Sequence, residues 1–145
     1  MEIYTIGFTK KTAAQFFDTI KEAGIKRVID VRLNNSSQLA AFTKKDDLAY
    51  FLGGLGGIDY THIPALAPTK DLLDGYKKQK GSWTIYQDHF IKLMKERKIQ
   101  ETLDRSLFTV PVVLLCSEAS AECCHRRLVA EYLRDHWGNV SITHL

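Results

Sequence analysis

The chain has no long apolar run. Nothing in it approaches the roughly 20 residues that a helix needs to cross a bilayer, so no membrane association is expected. No basic stretch precedes the apolar start "MEIYTIGF", which speaks against a secretory signal peptide. The sequence has no repeats, no low-complexity tract and no linker rich in Pro, Gly or Ser. Repeat arrays and a multidomain layout find no support. Cysteine is scarce, with three residues and therefore one left over from any pairing. An odd count without a secretory signal reads as reduced thiols in a cytoplasmic protein rather than a disulfide framework. An excess of one charge is missing too. Twenty Lys and Arg against 17 Asp and Glu leave a formal net charge of +3, too mild for a dedicated nucleic-acid surface.

What remains is an ordinary soluble composition. The chain has 145 residues, 45% of them apolar and 26% charged, which suits a single domain over 1–145 with one filled core. Its pattern is βα alternation. "IYTIGF" reads as a strand. "TAAQ" at 12–15 has the form of a capping box, and Ala13, Phe16, Phe17, Ile20 and Ala23 then follow helical spacing up to Gly24. "RVIDVR" is a second strand and "IDYTHI" a third. Between them "KDDLAYFLGG" reads as a short helix stopped by glycines, with "GGLGG" as helix stop and tight turn rather than a phosphate cradle. Thr69 and Ser82 are candidate N-caps of two further helices. In the second of these, Trp83, Tyr86 and Phe90 fit a core stripe better than base stacking. "VPVVLLC" is the most apolar strand and belongs at the sheet centre, because strands covered on both faces lose alternation. A helix over 120–135, capped by Ser120, and a closing strand "VSITHL" follow. The expected fold is therefore α/β, three-layered, with a mostly parallel sheet of about five strands and helices on both faces. In such sheets ligands bind beyond the carboxyl ends of the strands.

All three cysteines fall in "LLCSEASAECCHRRLVAEYL". Cys116 ends the central strand. Cys124 and His125 fall near a helix start, where backbone N–H groups and the helix dipole favour a thiolate or a bound anion. Against this, Ala121, Cys124, Leu128 and Tyr132 form one helical stripe, which would make Cys124 a small core residue. A zinc site built from Cys116, Cys124, His125 and His62 or His144 lacks the short paired spacings of structural zinc, so no metal is expected. A phosphatase-like Cys-x5-Arg loop fails because Glu122 stands where the arginine should be. Arg126 and Arg127 can also be read as a solvated helix face pairing with Glu122 or Glu131.

A second polar cluster is "DVRLNNSSQLAAFTK". Asp30 and Arg32 lie two apart and so point the same way in a strand. An ionised pair among Val and Ile must be hydrogen-bonded to be tolerated. Asn34, Asn35, Ser36, Ser37, Gln38 and Lys44 add donors and acceptors beside it. This cluster is either a turn beside a structural ion pair or a ligand loop at the same sheet edge as Cys116.

Taken together, "IYTIGFTKKTAAQFF", "VIDVRLNNSSQLAAF", "YTHIPALAPTKDLL" and "LLCSEASAECCHRRLVAEYL" resemble an uncharacterised prokaryotic family catalogued as domain of unknown function 488. The family's Cys-x-Glu and Cys-His-Arg elements fall on Cys116, Glu118, Cys124, His125 and Arg126, and its Asp-Val-Arg element on Asp30 and Arg32. Phe8 stands where other members carry histidine, and Ala119 and Ala121 replace prolines. Cys123 is outside the pattern. The resemblance implies an α/β fold and a functional site, but no reaction.

The expected site gathers Asp30, Arg32, Asn34, Asn35, Lys44 and Arg126 as ligand-binding groups for an anionic small molecule bearing phosphate or carboxylate. Cys116 or Cys124 would be the nucleophile, with His125 or Glu118 moving protons. No cofactor is implied. The alternative is a nucleic-acid-associated module, with Lys77, Lys78, Lys80, Lys92, Lys95, Arg97 and Lys98 on phosphates and the Asn-rich loop reading bases.

Overall fold

The computed structural model describes residues 1–36 and 41–145. Ser37 and Gln38 of the Asn-rich loop lie outside the described residues. Five strands form one sheet: β1 (Glu2–Gly7), β2 (Arg27–Asp30), β3 (Asp59–His62), β4 (Val112–Cys116) and β5 (Ser141–His144). Their order is β3-β2-β4-β1-β5, and every pairing is parallel. The helices are α1 (Ala13–Glu22), α2 (Lys45–Gly56), α3 (Lys70–Lys77), α4 (Trp83–Glu96), the single-turn α5 (Ile99–Thr102) and α6 (His125–Trp137).

The all-apolar β4 is central, as its lack of alternation predicts. All five of its residues are buried, and its side chains divide between two cores. Val112, Leu114 and Cys116 pack with Phe90 and Met94 of α4 and Leu128, Val129 and Leu133 of α6. Val113 and Leu115 pack with Phe16 and Ile20 of α1 and Leu48 and Leu52 of α2. Helices thus cover both faces, and the layers number three.

Local signals place most element ends. Thr12 and Gln15 form the reciprocal capping box of α1, and the Thr69 hydroxyl accepts from the Leu72 N–H at the start of α3. Ser82 occupies the N-cap position of α4 without a side-chain bond.

Two boundaries differ from expectation. The first is the stop of α2. The helix continues through Gly53, Gly54 and Gly56, and the left-handed residue that ends it is Gly57, at φ 63°. Burial of Leu48 and Leu52, one turn apart, holds this stretch helical despite its glycines. The second is the start of α6, which lies at His125 rather than beside Ser120. The Ser120 hydroxyl instead accepts from the Glu122 N–H inside a turn, and extended Cys124 takes the N-cap position. Residues 117–124 are consequently a loop, and Ala121 is not part of a helical stripe.

Candidate functional site

The topology opens a crevice at the carboxyl edge. Strands β1 and β2 lead into α1 and α2 on one face of the sheet, whereas β4, lying between them, leads to α6 on the other. Chains that part in opposite directions leave room above the strand between them. The loops are knitted at this edge. The Thr9 N–H and hydroxyl both donate to the Ser117 carbonyl, at 3.0 and 2.5 Å, and the Val31 N–H donates to the Leu115 carbonyl at 3.1 Å.

Cys116 lies at the floor of the crevice. Its Sγ is 3.5 Å from His125 Nδ1 and 3.9 Å from Nε2. His125 Nε2 is 2.7 Å from the Val31 carbonyl oxygen, which can only accept. In the neutral ring Nε2 therefore carries the hydrogen and Nδ1 turns a lone pair to the sulfur. The donor atoms of Cys116, Cys124 and His125 all lie within 4.8 Å of one another. The Cys116 thiol is held below its ordinary range. The hydrogen bond from Cys124 contributes most, and the Ser117 and Glu118 N–H groups and the Arg126 charge add to it against the opposing effect of burial. Cys124 is pushed up by the same hydrogen bond and by burial, so it keeps its proton. The Tyr86 phenol, also pushed up by burial and then by the two thiols, stays neutral above them.

A cavity of about 210 Å³ opens over these groups. Its polar lining is Arg32, Asn34, Lys77, Ser117, Glu118 and the Cys116–Cys124–His125 cluster, with exposed Cys123 beside them. Its other wall is apolar and aromatic, built from Leu33, Pro68, Leu73, Tyr76, Trp83 and Tyr86. The three aromatic rings pack on one another at centroid distances of 4.9–5.5 Å. The Lys77 ammonium and the Glu118 carboxylate pair across the cavity, joining α3 to the loop after β4. Burial alone would lower the Lys77 pKa, but the Glu118 carboxylate outweighs it and holds the ammonium charged.

Asp30 and Arg32 form a buried pair, with side chains 0% and 3% exposed. Asp30 Oδ1 accepts from the Arg32 backbone N–H at 3.0 Å and from Nε at 2.9 Å. Oδ2 accepts from Arg32 Nη2 at 2.8 Å and from the Tyr60 hydroxyl at 2.5 Å. Nη2 also donates to the Thr43 carbonyl at 2.6 Å. The guanidinium lies 5.4 Å from the Phe8 ring centroid, so the residue in the histidine position of the first motif forms an apolar lid on the cation. Tyr60 is pushed up by burial and by its bond to Asp30, so it remains a donor. Arg32 Nη1 is buried and has no acceptor among the described residues.

Arg126 is fully buried, which removes the solvated-face reading for it. Its Nη1 donates to the Glu118 carbonyl at 2.5 Å, and its Nε has no acceptor among the described residues. It braces the Cys116–Glu118 loop from behind and does not line the cavity. Arg127 follows the surface reading instead, pairing with Glu131 at 3.1 Å one turn on. Gly7 faces Cys116 in the β1–β4 register. A Cβ there would lie 1.6 Å from the Glu118 carbonyl oxygen and 2.8 Å from Arg126 Nη1, so only glycine admits this loop.

Of the residues singled out in the sequence, Arg32, Asn34, Cys116, Glu118, Cys124 and His125 line one cavity. Asp30 and Arg126 support it without lining it. Asn35 turns away to donate to the Tyr60 hydroxyl at 3.3 Å. Lys44 sits at the N-cap position of α2, outside the cavity lining. His62 bonds the Arg32 carbonyl at 2.8 Å and His144 the Thr5 hydroxyl at 2.6 Å, so neither joins the thiols. Sequence reasoning missed Gly7 and Tyr60, treated Lys77 as one basic residue among many, and assigned Trp83 and Tyr86 to core alone. The register partner of a strand-end cysteine and a tyrosine two residues before His62 were the available signals.

A family model described as "Domain of unknown function DUF488" matches residues 12–133. The match spans all the cavity-lining residues. No curated protein and no protein of solved structure matches the chain.

Proposed function

The chain belongs to the DUF488 family, and on that premise we propose that its cavity carries out thiol chemistry on a small ligand with an anionic head and a flat apolar body. Cys116 is the nucleophile. One observation carries this reading: the Cys116 sulfur sits at the end of the central strand, facing a cavity, within reach of a His125 Nδ1 whose partner nitrogen is tied to Val31. A thiol that gives up its proton readily, beside an oriented imidazole, is the arrangement that nucleophilic catalysis needs. His125 takes the thiol proton at Nδ1 and returns it to the leaving group after the sulfur has bonded to the electrophilic atom. Arg32 and Lys77 supply positive charge, and Arg32 Nη1, which meets no acceptor among the described residues, has donor capacity for the anionic head. The Tyr76–Trp83 wall takes the apolar body. Glu118 serves to hold Lys77, and Arg126 to hold the loop.

The test uses two small electrophiles, anionic iodoacetate and neutral iodoacetamide, on a Cys123→Ser chain so that the exposed thiol does not compete. Cys116 should be alkylated first. Iodoacetate should gain about tenfold over iodoacetamide relative to a free thiol, the effect of about 1.4 kcal/mol of charge attraction. Lys77→Ala should remove much of that gain. Alkylation of Cys116 no faster than an ordinary buried thiol would overturn the reading. So would one zinc per chain on elemental analysis, lost on Cys116→Ser or Cys124→Ser, since Cys116, Cys124 and His125 would then be metal ligands.

The nucleic-acid alternative has less support. Lys78 and Lys92 pair with Asp74 and Glu96 on their own helices, and Lys77 faces the cavity. A basic stripe free to neutralise phosphates is what that role requires.

A further inference from the structure

Nothing in the chemistry above uses Cys124 beyond its hydrogen bond, yet its sulfur shares the cavity floor with that of Cys116. The two residues are 2% and 6% exposed, and their sulfurs lie within 4.8 Å of each other. A disulfide needs a sulfur separation of about 2.0 Å, so a modest approach joins them. The two sides of the pair differ in how readily they can move. Cys116 ends the central strand, which is paired on both flanks, and faces Gly7 of β1 in register. Cys124 ends the loop 117–124, and its extended backbone (φ −134°, ψ 139°) precedes the first helical residue. Its own N–H makes a 3.3 Å bond to Ala121 within the same loop and its carbonyl accepts from the Arg127 N–H at 3.1 Å, so a shift of Cys124 disturbs at most the first turn of α6 and no strand ladder. Cys123, beside it, is exposed and also lines the cavity, which makes it the competing partner to be excluded.

We propose that Cys124 is the resolving thiol of Cys116, making the cavity a reversible dithiol–disulfide site that responds to hydroperoxides. The inference rests on Cys116 being the reactive thiol. In the first step the Cys116 thiolate attacks the distal peroxide oxygen. The S–O bond forms as the O–O bond breaks, and the departing alkoxide or hydroxide takes up a proton. Cys116 is then a sulfenic acid, oxidised by two electrons. In the second step the Cys124 sulfur attacks the Cys116 sulfur. The S–S bond forms, the S–O bond breaks, and the hydroxide leaves as water with the Cys124 proton. Two thiols and one hydroperoxide give one disulfide, one alcohol (water, when the oxidant is hydrogen peroxide) and one water. The disulfide occupies the nucleophile, so the site is closed while oxidised and reopened by a thiol reductant.

The experiment treats the Cys123→Ser chain with one equivalent of hydrogen peroxide, then maps peptides without reduction. The expected product is a Cys116–Cys124 disulfide in most chains, fully reversed by dithiothreitol, with iodoacetamide uptake at Cys116 lost and then restored. The double variant Cys123→Ser/Cys124→Ala has its melting temperature checked against this parent, and both chains are also given several equivalents, since sulfinic acid consumes a second peroxide. Cys116 of the double variant should then advance to sulfinic acid and resist dithiothreitol, while the parent stays at the disulfide. If Cys116 is alkylated rapidly but becomes sulfinic acid at the same rate in both chains, the resolving role is refuted and the nucleophile reading stands. If Cys116 is inert to both iodoacetamide and peroxide in the folded parent, the nucleophile reading fails and the inference fails with it.

Discussion

Separating the buried Asp30–Arg32 pair should reveal how the carboxyl edge of the sheet is held. Each partner satisfies the other at three contacts, and neither side chain reaches solvent appreciably. Asp30→Ala leaves a buried guanidinium that keeps, among the described residues, the Thr43 carbonyl and the neighbouring Tyr60 hydroxyl. Arg32→Met leaves a buried carboxylate with the Arg32-position N–H and the Tyr60 hydroxyl. Breaking a buried pair from one side costs about 3–5 kcal/mol. For 145 residues the unfolding entropy is about 0.3 kcal/mol per kelvin, so either change should lower the melting temperature by about 10–17 °C. The double change Asp30→Leu/Arg32→Met removes both charges together and should cost less than the sum of the singles by at least about 2 kcal/mol, the signature of coupled neighbours. Urea denaturation of the four chains closes the cycle. Single changes costing under about 1 kcal/mol, or additivity within about 0.5 kcal/mol, would mean that water reaches the pair, and the claim that it is a buried, mutually dependent unit would be wrong.

Two other perturbations address the loop above Cys116. Gly7→Ala places a Cβ 1.6 Å from the Glu118 carbonyl oxygen, a backbone atom that cannot swing aside. It should destabilise by about 2–3 kcal/mol and slow Cys116 alkylation; a parent-like denaturation midpoint with unchanged alkylation would refute the close approach. The second concerns pH. The folded pKa of Cys116 is lowered from 9.0, so the folded state gives up its proton before the unfolded state does. The resulting stabilisation is fully present above the ordinary thiol value and is lost as pH falls through the folded value. Alkylation of Cys116 in the Cys123→Ser chain should accordingly titrate below 9.0, and Cys116→Ser should flatten the pH dependence of stability across that window; a titration midpoint at or above 9.0 contradicts both.

The fold was largely legible because its signals are local. Unalternating β4, the Thr12–Gln15 box and the cap at Thr69 each depend on neighbours in sequence. The glycines of α2 misled because Leu48 and Leu52 are buried by the rest of the protein, which outweighs propensity. Ser120 misled because a hydroxyl can satisfy a turn as well as a helix start. At the site, Arg32, two residues past the end of β2, and Cys116, the last residue of β4, could be placed on one edge from the parallel topology alone. Gly7 could not, because its constraint comes from a carbonyl more than a hundred residues away in the chain. Lys77 and Trp83 could not either, since their helices carry no mark of which end folds over the sheet. The sequence allowed Arg126 as a ligand-binding group or as solvated helix surface; it is buried, bonded to the Glu118 carbonyl and outside the cavity lining.

The strand order also bears on how the chain reaches its folded state. β1 and β2 are made early, and α1 joins them, yet they share no hydrogen bonds; β4 lies between them. Until Val112–Cys116 leaves the ribosome, these two strands have no common neighbour and their inner edges stay open. Pairing across so many residues is entropically slow, and open apolar edges invite association with other chains. The segment that bridges them is the one that ends in Cys116. The Cys116 sulfur is therefore positioned in the same event that joins β1 to β2 through β4, and a nascent chain carries no assembled Cys116–Cys124–His125 cluster before that event.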